Sequence, residues 1–323
     1  MDTRTLAHTD LTVSRLCLGT MTFGGQADEA AARSMVDMCL EHGVNFIDTA
    51  NVYSGGSSET LLGRILDGRR QSVVLASKVG MKVGDRPTQI GLSRTAIQRQ
   101  IDETLRRLGT DYLDIYYLHL PDYQAPVEET LVALEMLVRQ GKVRYAGTSN
   151  YASWQICQML CLAEKQGYQP IRITQPMYNL VARGIEQELL PMCREFQVST
   201  VVYNPLAGGL LTGKHLGAAE PAAGTRFDLM RNYQDRYWHQ ANFDAVKLLN
   251  ETAQQEGRSL ISLALGWLLH HAAIDCVILG ASRPAQLQEN LEAAGQGKLS
   301  DAALAACDRA WSLIRGVAPQ YNR

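Results

Sequence analysis

Eight short apolar stretches, separated in most cases by segments of helical period, constrain this 323-residue chain more than any other feature in it. They are RLCLGTM (15–21), VNFIDTA (44–50), SVVLASK (72–78), YLDIYYLH (112–119), VRYAGTSN (143–150), IRITQ (171–175), STVVYN (199–204) and CVILGAS (276–282). Between them lie helix candidates such as DEAAARSMVDMCLEHG, SRTAIQRQIDETLRRLG and PVEETLVALEMLVRQG, the first and last closing on a glycine suited to a helix C-terminus. Strand then helix, repeated eight times, is the pattern of an α/β protein built as a (β/α)8 TIM barrel. The strands are rich in Val, Ile and Leu on both faces, as parallel strands under a helical layer should be. An open doubly wound sheet gives the same alternation. Its dinucleotide-binding form, however, needs G-x-G-x-x-G between an early strand and its helix, and the chain has no such segment.

Two segments do not fit eight plain units. TRTLAHTDLTVSRL (3–16) reads as an N-terminal hairpin that caps the barrel floor. The stretch from about Lys214 to Trp238 is a long excursion after the seventh strand, at the C-terminal face where barrel enzymes keep their sites. The expectation is one barrel domain over residues 1–323.

With 46% hydrophobic and 20% charged residues and a net charge of −2, the chain buries a large core. It has no cationic excess to draw it to nucleic acid or an anionic membrane. No apolar run approaches the roughly 18 residues of a membrane span, and MDTRTLAHTD lacks the apolar region of a signal peptide. The expectation is therefore a cytoplasmic protein whose partners are small molecules. Seven cysteines without a C-x-x-C pair, including Cys157 and Cys161 one helical turn apart, read as buried free thiols rather than a metal site.

Polar residues gather where the strands end: Asp48, Lys78, His119, Ser149, Asn150, Gln175 and the pair Tyr203-Asn204. In a parallel barrel all strand C-termini share one rim, so residues scattered along the sequence converge on one pocket. Such a cluster suits the tuning of an acid. Tyrosine is a weak proton donor near neutrality, but an adjacent Lys⁺ and a hydrogen-bonded His stabilise the phenolate and lower its pKa. Tyr53, just after the second strand, is the nearest candidate acid, and Asp48 can hold Lys78 in place. GGLLTGKH (208–215) opens like a Walker A loop, but His215 stands where that loop has the Mg²⁺-ligating hydroxyl, so Mg-ATP is not the expected ligand.

FIDTANVYSGGSSETLLG, VVLASK, LDIYYLHLPD, GTSNY, VVYNPLAGGLLTGK and LGASRPAQLQENL together resemble the aldo-keto reductases over essentially the whole chain. LHLPDYQAPVEETL, the RYW at 236–238 and the terminal QYNR are similar to the branch of aflatoxin aldehyde and succinic semialdehyde reductases. The resemblance implies NADPH-dependent reduction of carbonyl compounds by a tetrad carried over as Asp48, Tyr53, Lys78 and His119. Tyr53 would be the general acid, His119 would orient the carbonyl, and Asp48 with Lys78 would tune the tyrosine.

The same resemblance implies a cofactor site of Gly19, Thr20, Met21, Asp48, Ser149, Asn150, Gln175, Tyr203, Asn204, Leu206, Gly208, Gly209, Leu210, Lys214, Arg226, Gly280, Ser282, Arg283, Gln286 and Asn290. Within it Ser149, Asn150 and Gln175 would hold the nicotinamide carboxamide and Tyr203 would stack on its ring. Gly208 and Gly209 would let the backbone approach the pyrophosphate, with charge from Lys214 and Arg226. Ser282, Arg283 and Gln286 would clamp the 2′-phosphate. The branch further implies that Arg236 and Arg323 face an acidic substrate end alongside Tyr53 and His119, and that the chain forms homodimers. The alternative within the family is a redox-sensing protein, like a regulatory β-subunit, that binds the cofactor with little turnover.

Overall fold

A computed structural model describes residues 1–83 and 90–317. Strands β1 (Thr3–Thr5) and β2 (Thr12–Ser14) pair antiparallel as a hairpin. Eight further strands close into a parallel barrel: β3 (Leu16–Gly19), β4 (Phe46–Asp48), β5 (Val74–Val79), β6 (Leu113–Leu118), β7 (Val143–Ser149), β8 (Ile173–Gln175), β9 (Ser199–Val202) and β10 (Cys276–Gly280). They are neighbours in chain order, and β10 closes the ring on β3.

The helices of the first six units are α1 (Glu29–Glu41), α2 (Ser57–Ile65), α3 (Arg94–Leu108), α4 (Val127–Arg139), α5 (Ser153–Gln166) and α6 (Leu189–Glu195). Their ends follow from local chemistry. Asp28 caps α1 by accepting from the Ala31 N–H, Ser93 does the same for α3 through Ala96, and α3 stops at Gly109 in the left-handed region.

The excursion after β9 holds two short helices, α7 (Arg226–Leu229) and α8 (Arg231–Tyr237). It then continues through α9 (Gln240–Gln255) and α10 (Leu260–Leu269) before β10. After β10 come α11 (Pro284–Ala294) and α12 (Asp301–Arg315), and α12 packs on α9. These two helices pair with each other outside the eightfold repeat, an addition that periodicity alone does not separate from the repeat.

Strand alternation sorts the side chains into two sets. Outward residues such as Leu16, Leu18, Ile47, Leu75, Tyr116, Leu118, Val277 and Leu279 pack under the helices. Inward residues Cys17, Phe46, Val74, Ala76, Ile115, Tyr117, Ile173, Val201, Cys276 and Ile278 fill the barrel and meet Leu6, Leu11 and Val13 of the hairpin segment. The hairpin thus plugs the floor. Tyr117 has room inside because Gly147 faces it: a Cβ there would lie 2.5 Å from the ring. All seven cysteines are free thiols and five are buried. The expectation of burial fails for Cys157, which is half-buried, and for Cys161, which is exposed on α5. Among the described residues no helix is long and apolar enough to cross a membrane.

Candidate active site

The inward alternation that builds the apolar interior also builds the site. Two residues beyond the interior Phe46 comes Asp48; two beyond Ala76 comes Lys78; two beyond Tyr117 comes His119. Ile173 precedes Gln175 and Val201 precedes Tyr203 by the same step. Each of these five strands, β4, β5, β6, β8 and β9, therefore ends its inward column with a polar group at the C-terminal rim.

Lys78 is fully buried, and its Nζ donates to Asp48 Oδ1, to the Thr49 carbonyl at 2.8 Å and to Tyr53 Oη at 3.2 Å. Gln175 Nε2 donates to the other Asp48 oxygen at 2.9 Å. The Tyr53 ring stands edge-on to His119 with centroids 6.0 Å apart. One cation, one carboxylate, one phenol and one imidazole thus share a pocket. Burial pushes the Asp48 carboxyl up, while Lys78 and Gln175 pull it back. Burial pulls Lys78 down, but Asp48 and Tyr53 more than reverse this, so the ammonium is retained. Burial and the Lys78 charge drive His119 down to about 3, which makes it a neutral imidazole at physiological pH.

The sequence reading expects Lys78 and His119 to lower the Tyr53 phenol. The structure reverses the net direction: burial pushes it above its ordinary value, Lys78 pulls down, and Asp48 pushes up again. The reason is that Asp48 offsets the lysine charge in a pocket that already penalises a phenolate. The net direction favours the neutral phenol at Tyr53.

Around this core, Ser149 Oγ donates to the Gln175 carbonyl at 2.9 Å, and Asn150 Nδ2 donates to the His119 carbonyl at 2.9 Å. Tyr203 Oη donates to Asn150 Oδ1 at 2.7 Å, so β6, β7, β8 and β9 are tied together at the rim. Gly19 ends β3 beside Gly280 of β10, and Thr20 hydrogen-bonds Asp48 O and Ser58; Met21 is half-buried next to them. Ser282 meets Gln286 Oε1 through both its N–H and its Oγ at 3.0 Å, Arg283 is exposed beside them, and Asn290 is buried on α11.

Lys214, Arg226 and Arg283 form one cationic group: Lys214 is lowered first by burial and then by those two arginines. In the glycine loop, Leu210 turns its side chain into the hydrophobic core with Leu206 packed against it. The Gly208 N–H donates to Asn204 Oδ1 and the Gly209 N–H to the Leu206 carbonyl, both at 2.8 Å, so the loop consumes these donors itself. Arg236 is exposed, with its guanidinium 5.5 Å over Tyr233 and 5.9 Å over Tyr237; burial pushes the Tyr203 phenol up to about 12, with Arg236 pulling the other way. Arg323 lies outside the described residues.

The sequence reading missed a hub beneath the excursion. The Tyr237 hydroxyl accepts from Asn204 Nδ2 at 2.7 Å and Asn179 Nδ2 at 3.1 Å, and donates to Met177 Sδ. This fastens α8, and with it Arg236, to the ends of β8 and β9. It also missed Glu59, fully buried and bound by Ser77 and Arg107, which braces the strand bearing Lys78. Both lie inside stretches noted for their likeness, but only the third dimension shows their partners.

The profile of the Aldo/keto reductase family matches residues 15–312. The chain belongs to the aldo/keto reductase family. It is 36% identical over 323 residues to aflatoxin B1 aldehyde reductase member 2 of Homo sapiens, covering 95% of this chain and 89% of that one. It is 35% identical to human aldo-keto reductase family 7 member A3, covering 95% and 96%. It is also 35% identical to a probable voltage-gated potassium channel subunit beta of Arabidopsis thaliana, covering 91% of each. This aldo/keto reductase is accordingly an oxidoreductase.

Proposed function

We propose that this protein reduces aldehydes and ketones to alcohols with NADPH, Tyr53 donating the proton. The observation that carries the reading is the Lys78 ammonium held by Asp48 and the Thr49 carbonyl while it touches the Tyr53 hydroxyl, with neutral His119 facing the same ring. Bound NADPH supplies a hydride to the carbonyl carbon. The residues present suit that cofactor. Lys214, Arg226 and Arg283 group three positive charges, which suits phosphates, and the space beside Gly209 is bounded by Lys214 Nζ.

In this reading a neutral His119 Nε2–H orients the carbonyl oxygen towards Tyr53. The Tyr53 proton passes to that oxygen as the O–H bond of the alcohol forms, and Lys78 stabilises the phenolate left behind. Tyr203, tied to Asn150, and Ser149 with Gln175 hold the nicotinamide end. A proton from solvent restores Tyr53.

Arg283 and Ser282 would read the 2′-phosphate. A charge-assisted hydrogen bond to phosphate contributes roughly 1.5–3 kcal/mol, about ten- to a hundredfold in affinity. Arg283→Ala is expected to raise the Kd for NADPH by that factor and leave NADH nearly unchanged, as titration of each cofactor would show. Equal weakening of both would remove the assignment.

We further infer a preference for short aldehydes bearing a carboxylate. Arg236 has its guanidinium over two aromatic rings and no salt bridge to an acid among the described residues. Arg236→Ala and Arg323→Ala should each raise KM for a carboxylated aldehyde by roughly tenfold or more, with little change for a neutral aromatic aldehyde. A similar loss on both substrates would contradict it. The plant channel-subunit relative favours a second reading, a cofactor-binding sensor with little turnover. Loss of nicotinamide absorbance on adding an aldehyde separates the two.

A further inference from the structure

His215 has no place in the mechanism above, yet it is 2% exposed and sits in the glycine loop directly after Lys214. Its ring is wedged edge-on between Phe227 at 5.1 Å and Trp238 at 5.4 Å, so two residues of the excursion fix its orientation. Its Nε2 is shut off from water and has no hydrogen-bond partner among the described residues. An unpaired buried ring nitrogen is costly, which calls for an acceptor at that point.

The neighbouring backbone shows where the acceptor belongs. Gly209 adopts φ +105°, a conformation side chains rarely take. A Cβ built on it would lie 3.5 Å from Lys214 Nζ and 4.0 Å from His215 Nε2. The absent side chain thus leaves a small space facing one ammonium and one imidazole nitrogen. Four of the loop's N–H groups are already used: those of Gly208, Gly209, Leu211 and Gly213 bond within the loop or to Asn204. A Walker A loop cradles phosphate with backbone N–H groups; with these four occupied, the Lys214 and His215 side chains are the donors that face the space beside Gly209.

We propose that His215 is a phosphate-binding residue of this loop, its Nε2–H donating, beside Lys214 Nζ, to the pyrophosphate of the dinucleotide. This rests on the proposed NADPH site. Burial and Lys214 lower the imidazole to about 4, so it binds as a neutral donor and not as a second cation. Phe227 and Trp238, which hold the ring, belong to the excursion and to its end.

The test uses the full-length protein and three probes: NADPH, NADH, and adenosine 2′-monophosphate, which carries the 2′-phosphate without a pyrophosphate. Affinities are measured by calorimetry or by displacement of NADPH. His215→Phe keeps the aromatic packing and removes the donor; it should weaken NADPH and NADH by the same factor, roughly tenfold, and leave adenosine 2′-monophosphate unchanged. His215→Gln restores a donor and should recover most of the lost affinity. Arg283→Ala serves as the opposite control, weakening NADPH and the monophosphate but not NADH. The inference is overturned if His215→Phe binds NADPH like the wild type, if the monophosphate weakens in parallel, or if the Gln variant is as weak as the Phe variant. Wild-type protein that binds neither dinucleotide overturns the cofactor reading itself, and this inference with it.

Discussion

Tyr53→Phe is expected to lower carbonyl reduction by about 10²–10⁴-fold while NADPH binds with unchanged affinity. The substitution removes only the hydroxyl, which is 3.2 Å from Lys78 Nζ, and keeps the ring against His119. Lys78 retains Asp48 and the Thr49 carbonyl, so the pocket should stay folded. The pH profile follows from the same geometry. Reduction needs Tyr53 protonated and His119 neutral; the first is pushed above its ordinary value and the second down to about 3. The rate in wild type should therefore be level from about pH 5 to about pH 9, with the alkaline fall above the ordinary tyrosine value of about 10. Near wild-type turnover in the Phe variant would remove Tyr53 from the role of acid.

The second large effect is on the buried ion pair, where activity and stability come apart. Lys78→Met leaves Asp48 buried without its cation, and breaking such a pair costs about 3–5 kcal/mol. It also removes the one neighbour that lowers the Tyr53 phenol, so the proton becomes harder to give. Both melting temperature and turnover should fall steeply. Combining Lys78→Met with Asp48→Asn removes the stranded charge, so thermal melting should recover most of the loss. Turnover should not recover, because the phenolate still lacks its cation. Recovery of turnover in the double variant would show that Lys78 only holds the fold.

The rim of polar groups was legible because a strand's period of two is regular: once the interior columns are placed, Asp48, Lys78, His119, Gln175 and Tyr203 follow as their last inward members. The hairpin plug was legible from its turn-rich position before the first barrel strand. Other features depend on partners distant in sequence. The Tyr237 hub needs Asn179 and Asn204 brought beneath the excursion, and no spacing announces that. The direction of the Tyr53 shift depends on how deeply the phenol is buried and on how much of the Lys78 charge Asp48 offsets, and residue types alone do not weigh those. In the glycine loop the letters do not show that the Gly208 and Gly209 N–H groups are bonded to Asn204 and Leu206.

The central claim is catalytic carbonyl reduction with a nicotinamide cofactor, and one assay addresses it most directly. Purified protein is mixed with NADPH and a short carboxylated aldehyde, and loss of NADPH absorbance is followed together with formation of the alcohol. The account predicts many turnovers per protein molecule and one alcohol formed for each NADPH consumed. Tight NADPH binding with no more than a single turnover across a panel of aldehydes and ketones would contradict it and leave the cofactor-sensing reading in its place.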